Sequence, residues 1–295
     1  MFSGLSAFPL TPMNAKGPDE AAFVCLIERL AEAKVDSIGA LGSTGSYAYL
    51  NRAERARVAR LAVQHAGQVP VMVGIGATST REVLRLAEDA QLAGASALLL
   101  APVSYQPLTS EEVYELYCSV SHELSVPLCV YDNPRTTHFE FSDELHGRIA
   151  RLPGVASIKI PGVPAEPEAA RERVARLRKL IPSHVSIGIS GDPWAATGLN
   201  AGCEIWYSVL GGLFPQAALA LIRAAQRGDA ALAEQLSRQL APLWAMYNQH
   251  GSARVMAAAA ELLGYVNAPC LPAPLQALNN TERTTLASLL TKLAL

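Results

Sequence analysis

Residues 155–162 read Val155-Ala156-Ser157-Ile158-Lys159-Ile160-Pro161-Gly162, a short apolar run with one lysine set into it. Side chains of a strand alternate between its two faces, so the pattern predicts that Val155, Ser157 and Lys159 share one face. Burial of an ammonium disfavours its charged form and lowers the pKa of a lysine. A lysine tuned to roughly 7–8 offers neutral amine, which can attack a carbonyl and form a Schiff base. The alternative is a structural lysine that reaches water or pairs with a carboxylate.

The composition is that of a globular protein with almost no net charge. A chain of 295 residues with 50% hydrophobic content can form one large domain or two smaller ones. The balance of 24 basic and 26 acidic residues argues against nucleic acid or an anionic membrane as a partner. No apolar run reaches the roughly 18 residues of a membrane span, and the start lacks the pattern of a secretion signal. Scattered cysteines without C-x-x-C spacing indicate reduced thiols, so we expect a cytoplasmic protein.

Short apolar runs alternate along the chain with longer stretches of helical period. Eight strands are predicted at residues 4–9, 37–41, 69–74, 97–100, 127–131, 155–160, 185–189 and 204–209. Eight strand–helix units in about 225 residues match a parallel (β/α)8 TIM barrel, because each parallel strand needs a crossover and helices supply it. A doubly wound open sheet is the rival, but it usually has fewer units and a glycine-rich phosphate turn after its first strand.

The pattern changes to helices alone from about Arg227. We therefore predict a catalytic barrel over residues 1–226 and a small C-terminal helical bundle over residues 227–295. The first helix is predicted to begin at about Pro18, since proline is favoured in a first helical turn. The histidines show no metal-ligand spacing, and we expect surface or cap positions for all of them. They are His65, His122, His138, His146, His184 and His250.

Polar side chains cluster at the ends of the predicted strands. Reactive groups of (β/α)8 barrels sit at the carboxyl ends of several strands. There the sequence has Thr44 after the second strand, Tyr105 after the fourth, Tyr131 in the fifth, Lys159 in the sixth, Asp192 after the seventh, and Tyr207 and Ser208 in the eighth. Each alone has a structural explanation, such as a turn residue or a core tyrosine. Their joint placement favours a functional lysine.

Four motifs follow one another along the chain. They are Gly42-Ser43-Thr44-Gly45, Tyr131 followed by Pro134, Ile158-Lys159, and Ser190-Gly191-Asp192. In this order and spacing they resemble the dihydrodipicolinate synthase and N-acetylneuraminate lyase superfamily of pyruvate aldolases. The resemblance covers essentially the whole chain. It implies that Lys159 is the Schiff-base lysine and that Tyr131 relays protons.

The resemblance also implies the remaining parts of a site. Ser43 and Thr44, in the loop that begins at Gly42, are expected to hold the carboxylate of pyruvate through hydroxyls and backbone N–H groups. Tyr105 resembles a family tyrosine that crosses a dimer interface to complete a relay with Thr44 and Tyr131. Further candidates for substrate contact are Arg135, Gly191, Asp192 and Tyr207. Family members are usually homotetramers, built as dimers of dimers, with no metal or organic cofactor.

The departures from the family pattern concern the second substrate. In the synthases an arginine two residues after the proline grips the carboxylate of the aldehyde; here Thr136 stands there and Arg135 comes one residue early. Ser46 replaces a typical glutamate. The sequence therefore predicts a pyruvate-dependent aldolase or lyase for an aldehyde that it does not identify. The alternatives are dihydrodipicolinate synthase itself, with Arg135 reaching the aldehyde carboxylate, and a retired homologue that binds a 2-oxo acid without turnover.

Overall fold

Eight parallel strands close into a barrel in the computed structural model, which describes residues 2–295. They are β1 (Gly4–Ala7), β2 (Ser37–Ala40), β3 (Val71–Gly74), β4 (Ala97–Leu100), β5 (Leu128–Tyr131), β6 (Val155–Ile160), β7 (Ser186–Ser190) and β8 (Ile205–Ser208). Neighbours in the chain are neighbours in the sheet, and β1 closes the barrel against β8. The predicted (β/α)8 fold is confirmed. Met1, with which the predicted barrel domain begins, lies outside the described residues.

Helices between the strands cover the outside of the barrel. They are α1 (Glu20–Glu32), α2 (Arg52–His65), α3 (Thr80–Leu92), α4 (Ser110–Ser121), α5 (Pro134–Thr137), α6 (Asp143–Ile149), α7 (Pro167–Leu180), α8 (Ala195–Asn200) and α9 (Pro215–Gln226). Asn51 and Thr109 open α2 and α4 with capping boxes, as their sequences predict. The predicted start of α1 at Pro18 is wrong, because Pro18 pairs with Met13 in a small hairpin and Asp19 caps the helix.

The C-terminal part is helical, as predicted. Its helices are α10 (Ala230–Gln239), α11 (Ala241–His250), α12 (Ser252–Leu262) and α13 (Asn280–Leu293). One continuous helix over 230–249 is predicted, but it divides at Leu240, since Pro242 is compatible only with the first turn of a new helix. These helices share one hydrophobic cluster with the outer face of the barrel, so the division into two domains stays a prediction. Within residues 2–295, no helix is long and apolar enough to cross a membrane.

The barrel has two apolar layers. The larger layer lies between the strands and the surrounding helices. The smaller layer fills the barrel and is formed by Phe8, Met72, Ala97, Leu99, Ala101, Cys129, Tyr131, Ile205 and Tyr207. Alternate residues of a strand point to opposite faces, so each strand supplies both layers. All five cysteines are free thiols, and three of them are buried.

A bulge in β6 sets the direction of its side chains. Leu128 pairs with Val155, whereas the next residue of β5, Cys129, pairs with Ser157, so β6 has one extra residue at this point. Val155 consequently packs in the outer layer. Ser157 and Lys159 contact residues of the barrel interior. The prediction that all three share a face is therefore wrong for Val155.

Candidate active site

Lys159 lies in the barrel interior near the carboxyl end of β6. Its side chain is buried, with 4% of the residue exposed. The Nζ atom lies 3.9 Å from the centroid of the Phe8 ring, 4.0 Å from that of Tyr131 and 5.5 Å from that of Tyr207. Burial lowers the pKa of Lys159 to about 7, and a weaker Coulombic interaction with Cys129 opposes it. The predicted burial and lowered pKa are confirmed, so neutral amine is present at neutral pH.

Tyr131 ends the neighbouring strand, β5, beside the lysine. The strand register aligns Tyr131 with Lys159, and the backbone N–H of Asp132 donates to the Lys159 carbonyl at 3.0 Å. The Tyr131 hydroxyl lies 3.4 Å from Ser43 Oγ and accepts a hydrogen bond from Asn133 Nδ2 at 3.0 Å. Burial raises the pKa of Tyr131 to about 12, so the phenol is protonated at neutral pH. A protonated phenol beside a neutral amine can give a proton to a leaving hydroxide.

The loop after β2 brings the predicted Gly42-Ser43-Thr44 motif to the same end of the barrel. Gly42 and Tyr131 line one small cavity together with Leu41, Tyr47, Gly74, Gly76, Leu99 and Ala101. Thr44 is buried, whereas Ser43 is exposed and reaches the Tyr131 hydroxyl. Among residues 2–295, no hydrogen bond joins Thr44 to Tyr131. The structure therefore shows a contact of Ser43 with the phenol, and the relay predicted for Thr44 stays a prediction.

Asn133 is a site residue that the sequence reasoning missed. Its Nδ2 atom donates to the Tyr131 hydroxyl and also to Thr136 Oγ1, at 2.6 Å. The short helix α5 begins directly after Asn133 and holds Thr136 one turn away. The signal available in the sequence was an amide two residues after Tyr131, in the same loop. Arg135, on α5, is exposed and makes no ion pair or hydrogen bond within the described part of the chain.

Tyr105 stands apart from the other predicted residues. It lies in the loop after β4 and is 91% exposed in a single chain. No hydrogen bond within residues 2–295 connects it to Thr44 or Tyr131. An aromatic ring exposed to this extent is available for contact with a second copy of the chain. Its predicted role across a dimer interface stays a prediction.

Asp192 and Tyr207 both have hydrogen-bond partners in the protein interior. Asp192 is 2% exposed and accepts hydrogen bonds from Trp206 Nε1 at 3.0 Å and from the backbone N–H groups of Val209 at 3.3 Å and Leu210 at 2.7 Å. Both carboxylate oxygens are therefore used by internal donors. The Tyr207 hydroxyl lies 2.6 Å from Ser157 Oγ, deep in the barrel. Both residues therefore have structural partners, and their predicted substrate contacts stay predictions.

Gly191, the remaining candidate, is exposed beside the mouth of the barrel. Its φ of 80° lies in the left-handed region that favours glycine. The neighbouring Trp194 is 38% exposed. Gly191 is therefore accessible from solvent, and its predicted substrate contact stays a prediction.

We expect Asp192→Ala to lower the free energy of unfolding by roughly 3–5 kcal/mol, because three buried donors lose their acceptor. Chemical denaturation with the circular-dichroism signal measures this loss. Asp89→Ala is the matched control, since Asp89 pairs with Arg52 at the surface and its removal is expected to have a much smaller effect. An unchanged unfolding midpoint for Asp192→Ala, with a raised KM for pyruvate, would favour the predicted contact of Asp192 with the substrate over a structural role.

His146 contradicts the expectation that all histidines lie at the surface or at caps. It is fully buried, stacks on Phe141 with a ring separation of 4.9 Å, and places Nε2 3.4 Å from Asp132 Oδ2. Burial raises the pKa of Asp132 to about 7 and lowers that of His146 to about 3. The pair therefore avoids carrying isolated charges in the interior. Asp132 follows Tyr131 directly, so this contact joins α6 to the strand end that carries the phenol.

Comparison with known proteins finds relatives along essentially the whole chain. The profile of the Dihydrodipicolinate synthetase family matches residues 1–293. A 4-hydroxy-tetrahydrodipicolinate synthase from Methylococcus capsulatus is 34% identical over 245 residues, which are 82% of this chain and 82% of the relative.

Solved structures extend the similarity to the complete architecture. The crystal structure of a dihydrodipicolinate synthase from Agrobacterium tumefaciens str. C58 has a TM-score of 0.95 and 46% identity, covering 99% of this chain and 98% of that chain. A prophage protein of the dihydrodipicolinic acid synthase family from E. coli K12, solved in complex with pyruvate, has a TM-score of 0.90 and 26% identity. The matched part covers 100% of this chain and 99% of the prophage protein. The likeness therefore includes the C-terminal helices as well as the barrel.

Proposed function

The chain belongs to the dihydrodipicolinate synthetase family of pyruvate-dependent, aldolase-type lyases, and we propose that it acts as a 4-hydroxy-tetrahydrodipicolinate synthase. Such an enzyme condenses pyruvate with aspartate semialdehyde. The single observation that carries the proposal is the buried amine of Lys159, 4.0 Å from the ring of a protonated Tyr131. The names of the relatives favour this synthase over the unidentified aldehyde that the sequence departures suggest.

The first half of the reaction forms an imine. The neutral amine of Lys159 adds to the ketone carbon of pyruvate, and the phenol of Tyr131 gives and takes the protons needed to expel water. Ser43 and Asn133 contact the hydroxyl of this phenol and fix its position. The hydroxyls and backbone N–H groups of the 42–44 loop hold the pyruvate carboxylate. A prophage relative solved in complex with pyruvate supports pyruvate as the first substrate.

The second half of the reaction forms the carbon–carbon bond. The iminium withdraws electrons, so the former pyruvate methyl group loses a proton and becomes the nucleophilic end of an enamine. This carbon attacks the aldehyde carbon, and the electrons of the C=O π bond move to the oxygen, which takes a proton as the iminium on Lys159 re-forms. The lysine is then released when the amine of the product, or water, adds to the iminium carbon and the C–N bond to Lys159 breaks. Arg135 supplies the positive charge for the carboxylate of aspartate semialdehyde, because its exposed guanidinium has no carboxylate partner in the described part of the chain.

A second candidate is the function that the sequence predicts, a pyruvate-dependent aldolase or lyase for an unidentified aldehyde. Thr136 stands where the synthases have arginine, and its hydroxyl is occupied by Asn133 at 2.6 Å. Trp194, 38% exposed, packs so closely on Gly162 that a Cβ there would lie 2.6 Å from its ring. An apolar ring beside the loop that follows the lysine strand favours a less polar aldehyde.

A coupled assay with pyruvate and aspartate semialdehyde tests the proposal. We expect turnover in the ordinary enzyme range of roughly 1–10³ s⁻¹. We expect Arg135→Ala to raise the KM for the aldehyde roughly 10–100-fold, the loss of one charge-assisted contact of about 1.5–3 kcal/mol, and to leave pyruvate trapping intact. Arg227→Ala, which removes an exposed guanidinium after α9, is the matched control. Measured kinetics with both substrates varied separate the two KM values.

Two other outcomes of these assays would indicate a different function. Imine formation with turnover only of uncharged aldehydes would favour the second candidate. Pyruvate binding without turnover of any aldehyde in a panel would indicate the retired homologue. Both outcomes contradict the synthase proposal, and each has its own readout.

We further propose that the chain assembles through the face that carries Tyr105, as dimers that pair into tetramers, in the cytoplasm. Family members are typically oligomeric, which supports this assembly. Residues 227–295 form the helical bundle beside the catalytic barrel of residues 1–226. Neither a nucleic acid nor a membrane is a partner in this proposal.

A further inference from the structure

Phe8 places a third aromatic ring against the Lys159 amine, although no sequence motif singles it out. It follows β1, and its backbone N–H donates to the Ser208 carbonyl at 2.8 Å, so its position is tied to the end of β8. The residue is 2% exposed. Its ring meets Tyr207 edge-on, with centroids 6.0 Å apart and planes at 83°. The ring is therefore fixed on one side by the strand end and on another by an aromatic neighbour.

Two glycines of β2 and its loop make the space for this ring. A Cβ on Gly39 would lie 2.5 Å from the Phe8 ring, and a Cβ on Gly42 would lie 2.6 Å from it. Any other residue at either place would clash with the ring and force it to shift. The predicted substrate residue Gly42 thus has a second reason to be glycine, which is independent of the substrate. The barrel interior is shaped around a ring at position 8.

We propose that Phe8 is a positioning residue for the Schiff-base lysine, which excludes water from the Lys159 amine and holds it beside Tyr131. The inference rests on the proposed function for its catalytic meaning. The effect of Phe8 on the hydration and titration of the Lys159 amine does not depend on which reaction the protein catalyses. Phe8, Tyr131 and Tyr207 surround Nζ at 3.9, 4.0 and 5.5 Å from their ring centroids, and the first of these rings is the closest.

Two opposite effects of the ring on the amine must be compared. The face of an aromatic ring attracts an ammonium, which raises the lysine pKa by roughly half a unit to one and a half units. Exclusion of water disfavours the ammonium and lowers the pKa by up to about 3–5 units for a fully buried group. Desolvation is the larger effect, so removal of the ring, which admits water, raises the pKa of Lys159.

The other titratable groups that face the amine do not change the expected direction, a rise of the Lys159 pKa when the ring is removed. On β5, burial raises the pKa of Tyr131 to about 12 and that of Cys129 to about 11, so both are neutral. On β8, burial raises the pKa of Tyr207 far above its usual value, and this phenol is neutral too. After β7, burial raises the pKa of Asp192 to about 6, so it is ionised at neutral pH and favours the ammonium. The lowering of the Lys159 pKa by exclusion of water is therefore larger than the rise that this carboxylate causes.

The test compares wild type with Phe8→Ala. The acetylation rate of Lys159 by acetic anhydride, read by mass spectrometry of its peptide across pH, gives the titration of the amine without any substrate. We expect the midpoint to rise by about 1–2 pH units in Phe8→Ala, a part of the full desolvation effect. Borohydride trapping of pyruvate on the same peptide should fall roughly 5–50-fold at pH 7 and recover as the pH is raised.

Three further variants keep the result interpretable. Phe8→Met fills the space with an apolar chain that has no ring. Because water stays excluded while the attraction of the ring face for the ammonium is lost, we expect a midpoint no higher than that of wild type and lower by at most roughly one and a half units. Phe8→Val leaves less empty volume than Phe8→Ala and should give an intermediate shift if Phe8→Ala does not fold. Phe23→Ala removes a buried ring of α1 in the outer layer, so it should destabilise the fold without moving the midpoint.

The outcomes separate this inference from the proposed function. An unchanged midpoint in Phe8→Ala and Phe8→Val, or an equal shift in Phe23→Ala, would overturn the role of Phe8. A shifted acetylation midpoint in a protein that never traps pyruvate would support the role of Phe8 in excluding water from the amine. The same result would contradict the proposal that the protein is an aldolase.

Discussion

Lys159→Ala is expected to abolish turnover of pyruvate with any aldehyde and to remove the mass increment that borohydride fixes on the chain. The imine needs a primary amine at this place, and the only amine among the aromatic rings is Nζ of Lys159 in the part of the chain that the structure describes. No other group there can replace this amine, so the variant cannot form the covalent imine intermediate. Borohydride trapping followed by peptide mass mapping measures it.

The pH dependence of trapping follows from the lowered pKa. With a lysine pKa of about 7, the neutral amine is the minority below pH 7 and the majority above it. The trapping rate should rise about tenfold per pH unit below roughly pH 6 and level off above roughly pH 8. At pH 7 the neutral fraction exceeds that of an ordinary lysine by on the order of 10³. A rate that keeps rising to pH 10 would contradict the buried amine.

Two controls belong with the lysine variant. Lys179→Ala removes an exposed lysine of α7 and should leave trapping unchanged. Lys159→Met should unfold no more easily than wild type at neutral or lower pH. The native pKa lies below that of the unfolded chain, so the unfolded state binds more protons and wild-type stability falls as the pH is lowered toward 7. An inactive but stable Lys159→Met separates lost chemistry from lost folding.

Tyr131→Phe is expected to slow imine formation by about 10²–10⁴-fold, the usual contribution of one general acid–base group. The substitution removes the hydroxyl that contacts Ser43 and Asn133 and keeps the ring that packs at 4.0 Å from the amine. Trapping should therefore remain detectable at long reaction times. Single-turnover trapping with pyruvate measures the rate.

Tyr117→Phe is the matched control for the phenol. Tyr117 is also buried, and its hydroxyl donates to the Leu100 carbonyl at 2.5 Å, outside the site. Its loss should lower the free energy of unfolding by about 1 kcal/mol and leave the trapping rate unchanged. Equal rates for wild type and Tyr131→Phe would remove Tyr131 from the proton relay.

The sequence by itself determined the barrel and the position of its lysine. Eight apolar runs joined by helical segments admit few other topologies, because parallel strands need long crossovers. The same periodicity placed Tyr131 and Lys159 at adjacent strand ends. Local rules also identified the helix starts at Asn51 and Thr109, since a capping box involves only residues three apart.

Only the tertiary structure decided which side chains meet. The bulge in β6 turned Val155 outward, and Asp192 accepts hydrogen bonds from β8 and the turn that follows it. His146 met Asp132 in the interior, and Phe8 met Lys159 across the barrel. Each of these contacts joins elements that are distant in the chain, and local periodicity carries no information about their distance or register. The sequence therefore set the position of Lys159, whereas packing across the barrel set its environment and thus its pKa.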